Sequence, residues 1–263
     1  MSQENKNIHV LYKKIGETPL SCIKRFKTAM EIQNPTLAQS SMTYAGRLDP
    51  MAEGLLIVLS GEEVYAKESY LGLTKTYEFE ILWDIQTDTG DVLGVHTFNN
   101  FLIGNTAPTE NEITNYFKNT LGKFEQKYPM YSSRTVLGKS LIVWSRENRI
   151  GEVEIPSHEV ELFSAEYISR KNILSLELLN RIEEKINLVQ GDFRQEKILK
   201  LWRELLSQNS EKMYTLDVCK ISVSSGFYVR QFVSDIAKNF QTAAITYSID
   251  RNQIGKYKRV TYI

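Results

Sequence analysis

Two turns and a strand carry side chains that could do chemistry. In the first turn, Gly46 and Pro50 bracket Asp49. Such a turn fixes a carboxylate in place instead of leaving it to move in solvent. An aspartate before a proline is also a common turn former, so this segment alone leaves a plain turn open.

The other two segments offer an aromatic ring and a cation. Tyr77 lies near the start of an alternating stretch and combines a flat ring with a hydroxyl that can exchange a proton. A tyrosine in a strand can equally belong to the core. Arg230 follows Gly226 in the first turn of a predicted helix, where a positive charge opposes the helix dipole. Its position predicts a partner anion, either a carboxylate or a phosphate.

These side chains need strands and helices to position them. Alternating or continuous apolar residues predict strands at 8–13, 55–60, 74–83, 152–155 and 216–223. Thr18 and Thr109 are predicted N-caps of two helices, the second with a capping box to Glu112. A third amphipathic helix is predicted over 229–240. Strands mixed with helices, without a regular βαβ rhythm, favour an α+β fold with a mixed, mainly antiparallel sheet flanked by helices.

Residues 172–206 differ from the rest of the chain. Apolar residues at helical spacing on both sides of Gly191 and Asp192 predict two helices that face each other. We interpret this segment as a helical hairpin inserted between two strands. It could have a binding role or be a structural decoration.

Composition excludes several classes of protein. The chain has 263 residues with 32 basic and 32 acidic side chains, which argues against a disordered or fibrous protein and fits one large or two small domains. No stretch approaches the roughly 20 apolar residues of a membrane span. Two cysteines and three scattered histidines predict neither a disulfide framework nor a zinc cluster. We therefore expect a cytoplasmic protein that lacks a metal.

The zero net charge is unevenly distributed. Residues 121–150 carry six basic and two acidic side chains, and the last thirteen residues carry four basic and no acidic ones. Together they could form a basic groove for a polyanion. They could also be ordinary solvated faces of the protein.

The segment around Asp49 resembles the catalytic signature of TruB-type tRNA pseudouridine synthases. It has a glycine, two residues, Asp-Pro, an alanine and Gly-Leu-Leu. Further segments resemble other motifs of that family and occur in the family's order: residues 12–19, 75–79, 87–91, 129–134 with Gly138 and Lys139, 225–230 and 249–255. The resemblance covers about residues 8–257.

The resemblance implies roles for individual residues. Asp49 matches the nucleophilic aspartate, Tyr77 the tyrosine that stacks on the target uracil, Arg230 the arginine that pairs with the aspartate, and Ile249 an apolar residue beneath the base. Further substrate-binding positions are Tyr44, Gly46, Arg47, Lys75, Arg134, Lys139, Tyr228 and Arg251. Arg230 can favour the ionised carboxylate and can bind it through two parallel hydrogen bonds.

The resemblance also implies a fold and an activity. We expect the pseudouridine-synthase fold in a single catalytic domain over 1–263, with a mobile RNA-contacting segment at 124–150, the hairpin at 172–206 and no C-terminal PUA domain. The expected reaction is conversion of uridine to pseudouridine at position 55 in the T-loop of tRNA, on a flipped-out base. No redox step occurs, so no cofactor or metal is expected. The expected partner is the T-loop and T-stem of tRNA, bound by a monomer.

Three positions depart from the family pattern. Tyr44 stands where the family usually has a histidine, and Asp250 replaces the first of two arginines. Arg47 gives an Arg-Leu-Asp sequence that also resembles ribosomal pseudouridine synthases of the RluA type. The alternatives are a synthase for another RNA, such as rRNA, and a catalytically silent RNA-binding or RNA-folding module.

Overall fold

A nine-stranded sheet is the central element of the protein. The computed structural model describes residues 7–97, 107–208 and 210–259. The strands, including a separate two-stranded ribbon of β6 and β7, are β1 (Ile8–Lys13), β2 (Met42–Ala45), β3 (Ala52–Ser60), β4 (Lys75–Trp83), β5 (Gly122–Lys127), β6 (Thr135–Val136), β7 (Lys139–Ser140), β8 (Ser157–Leu174), β9 (Met213–Val223), β10 (Ala244–Ile254) and β11 (Tyr257–Lys258).

The sheet is mixed and mainly antiparallel. Its order is β1-β3-β10-β4-β9-β8-β5, with β2 paired to β3 and β11 paired to β10. Among the named strands, β3 and β10 form the parallel pair, and they pair over three residues in which Ile249 lies opposite Ala52. The remaining edge of β3 pairs with β2 from Ile57 onwards. The chain therefore enters β3, just after Asp49, beside β10, and β2 takes over the same edge further along the strand.

Helices cover both faces of the sheet. They are α1 (Pro19–Met30), α2 (Pro35–Gln39), α3 (Lys67–Leu71), α4 (Glu110–Thr120), α5 (Leu141–Arg146), α6 (Ser175–Asn187), α7 (Gln195–Ser207) and α8 (Val229–Asn239), with 3-10 turns at Gly61–Ala66 and Ile150–Glu152. Both predicted capping threonines, Thr18 and Thr109, form capping boxes, with Ser21 and Glu112 respectively. The sequence prediction of these helix starts is confirmed.

Two large apolar clusters lie on opposite faces of the sheet. Alternate residues of β4, such as Phe79 and Ile81, pack with α4 and α8, while Leu82 belongs to the second cluster. That second cluster includes α6 and α7, and Trp202 of α7 is buried in it. The hairpin of α6 and α7 therefore covers one face of the sheet and contributes to the core.

The structure differs from two expectations about local structure. The strand predicted at 152–155 was wrong, because Glu152 ends a 3-10 turn, the next three residues lead to Pro156, and pairing starts at Ser157. Proline has no backbone N–H to give to a sheet, which explains why alternation alone misled the prediction. The two helices predicted within 172–206 are present as α6 and α7, but β8 continues to Leu174 before the first of them begins.

Candidate active site

A cavity of about 550 Å³ opens where β3, β4 and β10 meet the start of α8. Asp49, Tyr77, Arg230 and Ile249 all line it. The sequence placed these four residues far apart in the chain, and the fold brings them together. The cavity volume falls within the roughly 300–1,000 Å³ typical of sites that hold a small ligand.

The turn that carries Asp49 is fixed by the two cores. Leu48 is buried in the cluster under α8, and Met51 is buried in the cluster under the hairpin. The Ala52 N–H donates to the Asp49 carbonyl at 3.1 Å and closes the turn. Asp49 thus lies between two buried residues, and its own side chain is 31% exposed and lines the cavity.

Buried cations hold the backbone of the same turn. The Arg251 guanidinium, which is 1% exposed, donates from Nη2 to the Gly46 carbonyl at 2.9 Å and from Nε to the Leu55 carbonyl at 2.8 Å. Lys13 is fully buried, and its Nζ donates to the Ala52 carbonyl at 2.5 Å. Burial lowers the pKa of Lys13 to about 8. These donors fix the loop through its backbone carbonyls.

Arg230 is positioned by the start of α8. Its guanidinium donates from Nε to Asp49 Oδ2 at 2.8 Å, from Nη1 to the Thr89 carbonyl at 2.6 Å and from Nη2 to the Tyr131 carbonyl at 3.3 Å. The expected pair of parallel hydrogen bonds to Asp49 is therefore wrong, because the two Nη groups are bound to carbonyls. The partner anion that the sequence predicted for Arg230 is a carboxylate.

A second carboxylate lies close to the same guanidinium. Asp91 Oδ2 is 3.7 Å from Arg230 Nε, and Asp91 Oδ1 accepts hydrogen bonds from Thr89 Oγ1 and Leu93 N. Burial raises the pKa of the Asp91 carboxyl. Burial by itself lowers the pKa of Arg230, but Asp49 and Asp91 outweigh this effect and raise it. The guanidinium therefore stays charged between its two acidic neighbours.

An aromatic and an aliphatic side chain complete the inner part of the cavity. Tyr77 on β4 and Ile249 on β10 are each 8% exposed and line it. Tyr77 is paired with Arg251 across the two strands. We call Asp49, Tyr77, Arg230 and Ile249 the cavity floor.

The outer part of the cavity is more polar and more exposed. Arg47, Tyr131, Arg146 and Arg194 line it and are half-buried or exposed. We call these four residues the cavity rim. Three of them are arginines, so the rim could attract a polyanion.

The predicted binding residues divide into two groups. Gly46, Arg47, Lys75, Tyr228 and Arg251 line the cavity. Tyr44, Arg134 and Lys139 lie outside its lining. Tyr44 packs against a small cluster with Cys22 and Leu56, and Arg134 lies over the ring of Tyr128, 5.1 Å from its centroid.

Lys75 and Arg251 are buried and donate to backbone carbonyls. Lys75 Nζ bonds to the Leu71 carbonyl at 2.6 Å, and burial lowers its pKa to about 8. Both cations therefore support the cavity wall, although they were predicted as substrate-binding residues.

Some site residues were missed by reading the sequence. Three of them lie in segments that resemble family motifs: Lys13, Asp91 and Tyr131. Nothing in the neighbouring sequence indicated their individual positions in the site. Phe193 and Arg194 line the cavity from the loop between α6 and α7. Among the described residues, no group of three or more His, Cys, Asp or Glu could hold a metal ion.

Comparison with family models decides the relationship. Residues 35–187 match the model described as "TruB family pseudouridylate synthase (N terminal domain)", which is more than half of the chain. The chain belongs to the TruB family. The resemblance noted from the motifs is therefore confirmed.

Individual relatives agree with the family model. The chain is 27% identical over 222 residues to tRNA pseudouridine synthase B of Caldicellulosiruptor saccharolyticus, covering 84% of this chain and 60% of the relative. It is 25% identical over 256 residues to that of Treponema denticola, covering 97% and 61%. It is 29% identical over 256 residues to that of Ureaplasma urealyticum, covering 96% and 88%. The chain thus spans about three fifths of the first two relatives.

Solved structures show the same fold. A chain of a Cbf5–Nop10–Gar1 complex matches with a TM-score of 0.57 at 13% identity, over 97% of this chain and 50% of that one. A chain of an H/ACA RNP bound to a substrate RNA containing 2′-deoxyuridine matches with a TM-score of 0.54 at 12% identity, over 97% and 49%. The expected α+β pseudouridine-synthase fold is confirmed. In the described part of this TruB family chain, no helix is long and apolar enough to cross a membrane.

Proposed function

We propose that this chain isomerises uridine to pseudouridine at position 55 in the T-loop of tRNA. One observation carries the proposal: the Asp49 carboxylate accepts a 2.8 Å hydrogen bond from buried Arg230 in a cavity that Tyr77 and Ile249 also line. Family membership and the tRNA pseudouridine synthase B relatives support it.

The reaction needs a reactive group and a confined base. The bond between C1′ and N1 breaks, a bond between C1′ and C5 forms, N1 gains a proton and C5 loses one. The floor residue Asp49 is in position to attack the sugar or the base, or to move a C2′ proton. Arg230 keeps that carboxylate ionised by its positive charge.

The detached uracil has to turn without leaving the site. The Tyr77 ring can stack on one face of the base, and Ile249 can pack beneath it, so the base can rotate between an aromatic and an aliphatic surface. The Tyr77 hydroxyl could also take part in proton transfer. These roles for the four floor residues are part of the proposal.

RNA contacts would come from the rim and the segment beside it. A base in a folded T-loop has to flip out to reach the floor, which costs a few kcal/mol. Contacts between phosphates and the basic side chains of residues 124–150 and of Arg47 would offset this cost. The proposal also includes a single catalytic domain that works as a monomer, in the cytoplasm.

A tritium-release assay tests the proposal. The protein is incubated with a T-loop hairpin that carries [5-³H]uridine at position 55, and label released to water is counted. We expect release from this hairpin and none from a hairpin with cytidine at that position. Release only from ribosomal RNA fragments would identify another RNA as substrate, and tight binding without release would favour a silent RNA-binding module.

A further inference from the structure

The loop between α6 and α7 reaches the proposed active site. We call residues 188–194 the hairpin tip. The Gln190 N–H donates to the Gly16 carbonyl at 3.1 Å, and a Cβ at Gly16 would lie 2.1 Å from the Leu188 carbonyl oxygen. The tip is thus packed against the N-terminal loop so closely that only glycine fits there. Two of its side chains, Phe193 and Arg194, line the cavity.

Arg194 forms a closed network with two residues of other loops. Its Nη1 donates to Asp88 Oδ2 at 2.8 Å and to the Tyr131 hydroxyl at 3.1 Å. The Tyr131 hydroxyl donates to the same Asp88 oxygen at 2.7 Å, and the guanidinium lies 5.1 Å from the centre of the Tyr131 ring. Three segments that are distant in sequence therefore meet at one ion pair.

This network borders the groups that orient Arg230. The Tyr131 carbonyl accepts from Arg230 Nη2, and the Thr89 carbonyl, one residue after Asp88, accepts from Arg230 Nη1. Two of the three hydrogen bonds that orient the guanidinium therefore come from backbone next to the Arg194 network. The third is the bond to Asp49.

The backbone at Arg194 supports a specific role for its side chain. Its φ of +66° lies in the left-handed region, where a residue with a Cβ is uncommon. Such conformations persist where the surroundings fix them, and they concentrate at functional sites. Glycine would adopt this conformation more readily, but it could not form the network.

We propose that Arg194 is a positioning residue that acts through Asp88 and Tyr131 to fix the orientation of Arg230, and so the pairing of Arg230 with Asp49. This inference rests on the proposed function and deepens it. The hairpin then has a second task beyond covering the sheet. It stabilises the loops that hold the catalytic guanidinium.

Kinetics of Arg194→Met give the first test. We expect the single-turnover rate on the T-loop hairpin to fall by about tenfold to a hundredfold, because small misplacement of a reacting group has effects of this size. KM and its salt dependence should stay close to wild type. Arg194→Lys should recover part of the rate, and Tyr131→Phe should lower the rate non-additively with Arg194→Met.

The matched control is Arg203→Met in the same hairpin. Arg203 is exposed, pairs with Glu183 at 2.5 Å and does not line the cavity, so its variant should keep the wild-type rate. An unchanged rate in Arg194→Met would overturn the inference. A raised KM with an unchanged rate would also overturn it, since it would make Arg194 a direct RNA contact.

An NMR measurement tests the inference without turnover. In protein labelled with ¹⁵N-arginine, the Arg230 Nε–H signal is assigned by its loss in Arg230→Lys. Arg194→Met should speed solvent exchange of this proton by at least about tenfold, because an N–H exchanges through local opening, while Arg203→Met should not. If wild type releases no tritium, the proposed function fails, and the exchange rate alone decides the inference. Equal exchange in wild type and Arg194→Met would overturn it.

Discussion

The floor and the rim of the cavity are held in different ways. The floor residues Asp49 and Arg230 are held by internal contacts, since buried Leu48 and Met51 fix the turn and the Thr89 and Tyr131 carbonyls accept hydrogen bonds from the guanidinium. Two of the rim arginines, Arg47 and Arg146, are exposed, whereas Arg194 is bound to Asp88 and Tyr131. The difference indicates that the floor is preorganised for the proposed chemical step, while the exposed rim arginines Arg47 and Arg146 suit the attraction of a flexible polyanion.

Asp49→Asn should have the largest effect on the reaction rate, and it tests whether the floor and the rim have separate tasks. It keeps the shape of the side chain and removes the reactive charge, so the rate should fall by roughly 10⁴-fold or more, as when a reactive group is lost. RNA affinity should change by less than about threefold, which corresponds to under 1 kcal/mol. Tritium release and a filter-binding titration measure the two quantities. Wild-type turnover in this variant would remove Asp49 from the mechanism.

Arg230→Lys should have the next largest effect. An ammonium can place one charge near Asp49, but it cannot also reach both the Thr89 and the Tyr131 carbonyl in the planar geometry of a guanidinium. We expect the single-turnover rate to fall by roughly 100-fold or more. The Tm of the variant should be measured alongside the rate. We expect the fold to persist, because the lysine still places a cation near the buried Asp91. A rate near that of wild type would show that charge alone is sufficient.

Variants of Arg134 and Lys139 should show whether the basic segment beside the rim attracts RNA. Both lie outside the cavity lining in the segment that follows Tyr131. If they contact phosphates, each change to methionine should lower RNA affinity and reduce the slope of log affinity against log salt by about one, with little effect on the single-turnover rate. Arg181→Met, in an exposed pair with Glu177, is the control. An unchanged salt slope would place RNA elsewhere on the protein.

Local signals in the sequence made Asp49, Tyr77 and Arg230 candidates, and the family resemblance added Ile249. The alternation around Tyr77 and the capping threonine Thr18 depend on neighbouring residues, so they can be read from a short window. The motif order then identified Asp49 and Arg230 as partners. The helix dipole argument for an anion near Arg230 also agrees with the observed pair.

Long-range contacts explain what the sequence did not predict. Arg194 and Asp88 are 106 residues apart, and nothing near either residue indicates the other. The Thr89 and Tyr131 carbonyls that accept hydrogen bonds from Arg230 belong to irregular backbone, whose position the sequence does not predict. The sequence therefore could not exclude two hydrogen bonds between Arg230 and Asp49. The burial of Lys75 and Arg251 was also not predicted. In the folded protein, both side chains donate hydrogen bonds to backbone carbonyls.

The smallest predicted effect is on the free energy of unfolding and concerns Lys13, which supports the turn that carries Asp49. Burial lowers the pKa of Lys13 to about 8 from 10.5, so between these values the unfolded chain binds more protons than the folded one. Stability from this group therefore rises with pH over that range. The free energy of unfolding of wild type should gain about 1 to 3 kcal/mol relative to Lys13→Met between pH 7 and pH 10, since one pKa unit corresponds to about 1.4 kcal/mol.

Urea unfolding at several pH values measures that difference. Lys14→Met, which removes an exposed neighbouring cation, is the matched control, and its curve should stay parallel to that of wild type. If the difference in free energy of unfolding between wild type and Lys13→Met did not change with pH, the Lys13 ammonium would be exposed to water in the folded protein. The turn that carries Asp49 would then be held by Arg251 and the two cores without the Lys13 ammonium, and the floor would depend less on buried charge than its hydrogen bonds indicate.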